Sequence, residues 1–427
     1  MEKSEIKNIV LDQNEKIQYE EKLIEREVEK KILEFRDSNL IIILTGLRRS
    51  GKSTILNMIK KKSKNINIYV NFDDFRLVKF NLDDFQKLNE IFLETSNLNE
   101  FFFDEIQNIE FWERYIRTMH DRKNKLYITG SNATMLSTEL GTHLTGRNIV
   151  VEVYPFSFKE FLIFKDYKLN KEDFFLTSKK VELLKLFDEY LKVGGIAEYL
   201  KTKKEDYLKF IYEDIINRDV VSRYGITNVK SLKDLIYYLI SNIGKEFSYN
   251  KLTEIIDVKN STTVKEYIEY FENSYLIFTL NKFDYSLKKQ LVNPKKVYTI
   301  DTGLANAISF KFSENRGRLL ENVVFIELKR RRKIIYYHKE KKECDFVIKE
   351  GLNIVEAMQV CQGIGDKENW AKGGDKTRER EIEGLIEACK LYNLKEGLIL
   401  TENEEYEIEE NNIKIYVKPI WKWLLES

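Results

Sequence analysis

The chain has 427 residues, with 71 Lys/Arg against 70 Asp/Glu, 43% hydrophobic and 33% charged residues, and only 3 His, 3 Cys and 3 Pro. That length suits about three domains, each with its own core, and no apolar run approaches the ~18 residues of a membrane span. Cys344, Cys361 and Cys389 lie far apart without short ligand pairs, which argues against a disulfide scaffold or a Cys-rich zinc module and for buried thiols in a reducing, cytoplasmic compartment.

Residues 15–36 carry apolar residues at helical intervals among dense charges and predict an amphipathic lead-in helix, so 1–36 reads as an N-terminal segment. Residues 39–45 (NLIIILT) predict a buried strand, as do 66–72, 100–103 and 125–129, with helical stretches between them. Residues 37–155 therefore read as a parallel α/β sheet of doubly wound type. The pattern turns helical over 156–228. Over 229–285 the order helix, short helix, helix and apolar hairpin is that of a winged helix-turn-helix. Residues 286–427 return to mixed α/β, with KVYTI, KIIYYH, CDFVI, NIVEAMQV, GLILT and IKIYV as strands. Residues 362–376, Gly-rich and charged, read as a mobile loop without an assigned role.

Between the first strand and a helical stretch, Gly46, Leu47, Arg48, Arg49, Ser50, Gly51, Lys52, Ser53 and Thr54 fit GxxxxGK[ST]. Such a loop turns backbone N–H groups inward around phosphates at a positive helix terminus. Lys52 is expected on the β- and γ-phosphates of ATP, and Ser53 on Mg²⁺. FFFDEIQ supplies the acids of a hydrolysing site: Asp104 for the Mg²⁺ shell, Glu105 to polarise the attacking water. Ser131 and Asn132, after the next strand, are sensor candidates, and Arg147 could add transition-state charge within its own subunit or across a contact. Arg48, Arg49, Asp73 and Asp74 receive no catalytic step.

Together, GLRRSGKST, YVNFDD, FFFDEIQN, YITGSNA, LTGR, YPFSFKEFL, KVGGIAEYL, NRDV, VYTIDTGL, GRLLENVVFIEL and CDFVI resemble a prokaryotic family of AAA-type P-loop ATPases with a C-terminal domain of unknown function, over nearly the whole chain from about residue 35. The resemblance implies an ATPase core, a helical lid, a winged helix and a C-terminal domain similar to the restriction-endonuclease fold. It carries the same roles to Lys52, Ser53, Asp104, Glu105, Ser131 and Arg147. Where the family has Pro in KVGGIAEYL this chain has Ala197, a change expected to loosen that turn.

In a restriction-like fold, cleavage uses an acid on a helix, an acid at a strand end, and then an acid and a lysine one residue apart on the next strand. Glu321 and Asp345 match the first two. Glu356 is followed two residues on by Met358, and Gln359 is polar without a lysine's charge. The expectation is a degenerate nuclease-like fold kept for binding or assembly.

The third helix of the winged segment carries Glu266, Glu269 and Glu272 against Lys265, which argues for packing rather than phosphate contact. Residues 281–342 hold sixteen Lys/Arg against six Asp/Glu, a candidate nucleic-acid footprint. The sequence thus reads as an ATPase coupling nucleotide state to rearrangement of its C-terminal module. The alternatives are a nucleotide-gated DNA-binding or signalling module with little turnover, or an ATP-dependent DNA nuclease. Oligomeric state, a homo-oligomer included, stays open.

Overall fold

The computed structural model describes residues 1–16, 23–94, 98–131, 146–309, 316–365 and 376–426. Two units emerge, Met1–Pro155 with Asn273–Tyr275, and Phe156–Glu272 with Leu276–Ser427.

The first unit runs α1 (Lys3–Lys16), α2 (Glu27–Glu34), β1 (Ile41–Thr45), α3 (Lys52–Lys62), β2 (Asn67–Asn71), α4 (Asp84–Leu93), β3 (Glu100–Asp104), α5 (Trp112–Asp121), β4 (Lys125–Gly130) and β5 (Asn148–Glu152). All five strands are parallel in the order β2-β3-β4-β1-β5. Side chains alternate across the sheet, so Ile41 and Ile43 enter one core with Val70, Phe101 and Phe103, while Ile42 and Leu44 enter the other with Tyr69, Phe102 and Tyr127. Burial on both faces is why these strands read as continuous apolar runs. The order also sets the C-terminal ends of β1, β4 and β3 side by side.

A single helix over 15–36 does not form. Residues 23–26 are non-helical and 17–22 lie outside the described residues, while α1 occupies Lys3–Lys16. Ile6, Ile9 and Val10 of α1 join the core. At its end, Gln13 Nε2 donates to the Asn71 carbonyl (3.1 Å) and Gln13 Oε1 accepts from the Asn71 N–H (2.9 Å). Asn14 does the same with Tyr69, at 2.8 and 3.1 Å. Two carboxamides thereby satisfy the outer edge of β2.

The second unit begins with α6 (Phe158–Phe164), α7 (Thr177–Val193), α8 (Ala197–Thr202) and α9 (Glu205–Asp214), the last continuing as a π-helical stretch, Ile215–Ser222. Next come α10 (Val229–Ile240), β6 (Glu246–Phe247), α11 (Tyr249–Ile255), α12 (Ser261–Asn273), β7 (Ile277–Asn281), α13 (Leu287–Val292) and β8 (Lys295–Thr299). KVYTI, read as the first strand of the C-terminal segment, is β8 and lies between β6 and β7 in a three-stranded antiparallel sheet. The remainder is α14 (Thr302–Ile308), α15 (Arg316–Arg330), β9 (Ile334–Lys339), β10 (Glu343–Glu350), β11 (Asn353–Val360), α16 (Lys376–Leu391), β12 (Glu396–Thr401), β13 (Tyr406–Glu410), β14 (Ile413–Pro419) and α17 (Ile420–Leu425). Its sheet order is β13-β14-β12-β11-β10-β9. Of the 362–376 loop, residues 366–375 lie outside the described residues.

Asp301 joins two distant motifs, KVGG and VYTIDTGL. Its Oδ2 accepts from the Gly195 N–H (2.7 Å) and its Oδ1 caps α14 through the Leu304 N–H (2.9 Å). Gly194 has φ +70°, and a Cβ there would lie 2.2 Å from Asp301 Oδ1, so only glycine fits. Ala197 is the first residue of α8, a position proline suits because that N–H has no helical partner; alanine keeps the same helix start. Burial pushes the Asp301 carboxyl up to about 6. A carboxyl raised on folding contributes stability below its unfolded value near 4, and that stability is lost as pH rises through 6. The stability advantage of wild type over Asp301→Asn should therefore shrink by about 2 kcal/mol between pH 4 and pH 7, measured by denaturant unfolding.

Candidate functional site

β1 ends at Thr45, and the chain turns through residues 46–51 into α3. Gly46 has φ +149°, with space for no side chain: a Cβ would sit 2.2 Å from the Val153 carbonyl oxygen. Gly51 is left-handed at φ +97° where it caps α3. Lys52 is buried and folds back on the loop, its Nζ donating to the carbonyls of Gly46 (3.1 Å) and Leu47 (3.0 Å). Leu47 anchors the loop in the core, Ser53 is half-buried, Arg49 and Thr54 are exposed, and the Ser50 hydroxyl is buried without a partner. From the non-helical stretch before α2, buried Arg26 donates to the carbonyls of Ser50 (3.1 Å) and Tyr154 (2.6 Å). It buttresses the loop from behind, a role with no sequence signature of its own.

Asp104 and Glu105 stand at the end of β3, two strands from β1. Asp104 is buried, accepting from the Tyr69 hydroxyl (2.7 Å) and the Thr129 hydroxyl. Thr129 Oγ1 also accepts from the Glu105 N–H (2.9 Å), so one hydroxyl fixes both acids. Glu105 is left-handed (φ 51°), a conformation uncommon outside glycine. Its Oε1 lies 4.0 Å from Lys52 Nζ. Ser131, past the end of β4, is buried with its hydroxyl unpartnered; Asn132 lies outside the described residues. The glycine cradle, the lysine, the two acids and the orphaned hydroxyls fit a nucleoside triphosphate with Mg²⁺, which Ser53 and Asp104 would hold. Thr129 is the residue the sequence reading missed; its signal is its place two residues before Ser131 on the same strand edge.

Arg147 requires a correction. Its carbonyl accepts from the Ile41 N–H (2.8 Å), and its guanidinium pairs with Asp121 (2.6 Å). Because Ile41 pairs with Asn148 and Thr45 with Glu152, Arg147 sits at the far end of β1 from the loop, about 13 Å away along the strand. It cannot supply charge to the loop of its own subunit.

In the second unit the nuclease-like residues are re-sorted. The pairing Phe346↔Met358 brings Asp345 beside Gln359. Gln359 Oε1 accepts from the Asp345 N–H (3.1 Å), and its Nε2 donates to Asp345 Oδ2 (2.8 Å) and to Glu381. Glu356, three residues away, faces the opposite side and pairs with Lys333 at 3.4 Å. Its place in the triplet is therefore wrong; the strand position opposite Asp345 is Gln359. A lysine does enter, from β8: Lys296 Nζ lies 3.0 Å from Glu321, 2.8 Å from Glu343 and 2.8 Å from Asp345. It is 1% exposed, and the Gly244 backbone covers Glu321 so closely that a Cβ there would meet Oε2 at 2.7 Å. Among the described residues no group of three or more His, Cys, Asp and Glu is arranged to hold a metal.

The basic 281–342 segment resolves largely into ion pairs within this unit. Arg316 bridges Asp188 and Glu402, Arg330 and Arg331 meet Glu327, Lys333 meets Glu350 and Glu356, and Lys339 meets Glu246 and Glu343. Arg331 also lies over the Trp423 ring.

Residues 38–162 match the model of an AAA domain, and residues 184–315 that of a domain of unknown function (DUF8612). The uncharacterized protein MJ1544 of Methanocaldococcus jannaschii is 36% identical over 437 residues, covering 98% of this chain and 94% of its own. The chain belongs to the MJ1544 family. An uncharacterized protein of Haemophilus influenzae is 32% identical, over 79% of this chain and 87% of its own. Among solved structures, the Walker-type ATPase PABY2304 of Pyrococcus abyssi is similar at 16% identity and a TM-score of 0.43, over 67% of this chain and 96% of that one. In this member of the MJ1544 family, the first unit, with its parallel sheet and its glycine-lysine loop, is a P-loop ATPase-like AAA domain. No helix among the described residues is long and apolar enough to cross a membrane.

Proposed function

We propose that the first unit binds ATP with Mg²⁺ and hydrolyses it, and that nucleotide state is transmitted to the second unit. The observation that carries the reading is the convergence of Lys52 and Glu105, 4.0 Å apart, beside an Asp104 already fixed by two hydroxyls. Bound Mg²⁺ would neutralise charge on the β- and γ-phosphate oxygens. Lys52, released from the carbonyls of Gly46 and Leu47, moves to the phosphates; the loop N–H groups orient them. Glu105 polarises the water, and the orphaned Ser131 hydroxyl meets the γ-phosphate or that water.

Transmission is supported by the path of the chain. It leaves the second unit at Glu272, lends Asn273–Tyr275 to the first, and returns at Leu276. Tyr275 Oη lies 2.6 Å from Thr45 Oγ1, at the last residue before the loop.

The α10–β8 segment supports the winged-helix reading through α10, α11 and α12 and its β6-β8-β7 order. Glu272 of α12 turns inward to the Thr279 N–H and hydroxyl (both 2.8 Å), which favours packing over nucleic-acid contact. The order α15, β9, β10, β11, α16, β12 supports the endonuclease-like reading. No cleavage step is proposed, because Lys296 fills the acid cluster.

Steady-state phosphate release tests the proposal. Wild type should turn over, and Glu105→Gln should bind ATP yet hydrolyse it about a hundredfold or more slowly. Glu105→Gln turning over at the wild-type rate would remove Glu105 from the mechanism.

A further inference from the structure

Gln107 follows Glu105 by two residues, in the short 3₁₀ turn Ile106–Asn108, and is nine-tenths buried. Its Nε2 donates to Glu105 Oε2 at 2.5 Å, while its Oε1 has no partner. Turning the amide over would set Oε1 against the carboxylate, so the orientation is fixed by chemistry. A buried acceptor left without a donor costs on the order of 1–3 kcal/mol, so each one calls for an explanation, such as a catalytic role or a water that completes it. Ser131, past the end of the neighbouring strand β4, carries a second orphaned oxygen. Both belong to the sheet end from which the phosphate loop springs.

The missing donor has an identity in hydrolysis. A nucleophilic water has two O–H groups. If Glu105 takes one, the other must also be held for a lone pair to aim in line with the bond that breaks. From this we infer that Gln107 is a water-positioning residue, its Nε2 fixing Glu105 Oε2 and its Oε1 accepting the second hydrogen of the attacking water. The inference rests on the ATP-hydrolysis reading. In that step the water oxygen bonds to the γ-phosphorus as its bond to the β–γ bridging oxygen breaks. ADP leaves with that electron pair, and one water proton passes to Glu105. Gln107 neither gains nor loses a proton.

Gln107→Met tests this, since methionine keeps the shape and removes both polar atoms. ATP affinity should stay within about twofold while turnover falls about 10- to 100-fold. ADP should still be trapped with beryllium fluoride, but no longer with aluminium fluoride, whose complex needs the in-line water. The melting temperature should match or exceed wild type, because a buried orphan is gone. Gln107→Glu keeps the size and sets a second carboxylate beside Glu105; it must also lose turnover. Turnover of Gln107→Met within twofold of wild type overturns the inference, as does a parallel loss of ATP binding or of both fluoride complexes. A wild type that releases no phosphate overturns the ATPase reading itself, and this one with it.

Discussion

Lys296→Met is expected to destabilise the protein by about 3–5 kcal/mol. The substitution leaves Glu321, Glu343 and Asp345 around a space that held their shared cation. A fully buried ammonium survives because three carboxylates repay its desolvation; removed alone, it strands their charge. Even in wild type, burial and the Asp345 charge push the Glu321 carboxyl up to about 7. The sign of the pH dependence follows: a raised carboxyl favours folding when protonated, so the deficit of Lys296→Met should be full above pH 8 and shrink toward pH 5. Adding Glu321→Gln and Asp345→Asn should restore more than half of the loss. Denaturant unfolding reads both variants, and a Lys296→Met within about 1 kcal/mol of wild type would show the cluster to be energetically slack.

Lys52→Ala should abolish detectable ATP turnover and weaken ATP binding by about a hundredfold or more, while leaving the melting temperature close to wild type. Lys52 Nζ donates to main-chain oxygens of its own loop, those of Gly46 and Leu47, and lies 4.0 Å from Glu105 Oε1. Under the proposed ATPase reading, its loss removes a ligand of the phosphates. Fluorescent-nucleotide titration and phosphate release check the first half, thermal unfolding the second. A variant that binds ATP normally would assign the phosphates to other cations.

The first unit was readable because its strands are buried on both faces and its site uses residues adjacent in sequence. β1, β3 and β4 are continuous apolar runs, and the loop and the Asp-Glu pair follow directly on two of them. β5 escaped notice because it is mostly half-exposed, which weakens the apolar signal. Arg147 was assigned by residue type, and only strand register shows that it lies at the wrong end of β5. The same holds for Glu356: its chemistry suited a catalytic triplet, but pairing selects Gln359. Lys296 was beyond reach for a different reason. It arrives from another sheet, 49 residues before Asp345, and nothing local marks which lysine of KKVYT enters the acid cluster. Gln107 was visible in FFFDEIQN, but a lone glutamine becomes informative only when its amide is seen half-satisfied.

The carboxamides of Gln13 and Asn14 have a consequence for assembly. An open sheet edge is an invitation to another chain, because its N–H and C=O groups await a neighbouring strand. Here α1 answers at both Tyr69 and Asn71 with side-chain amides that reproduce the peptide unit's donor and acceptor. The outer margin of the AAA domain is insulated against sheet extension, so any contact made there between copies must use the helix surface.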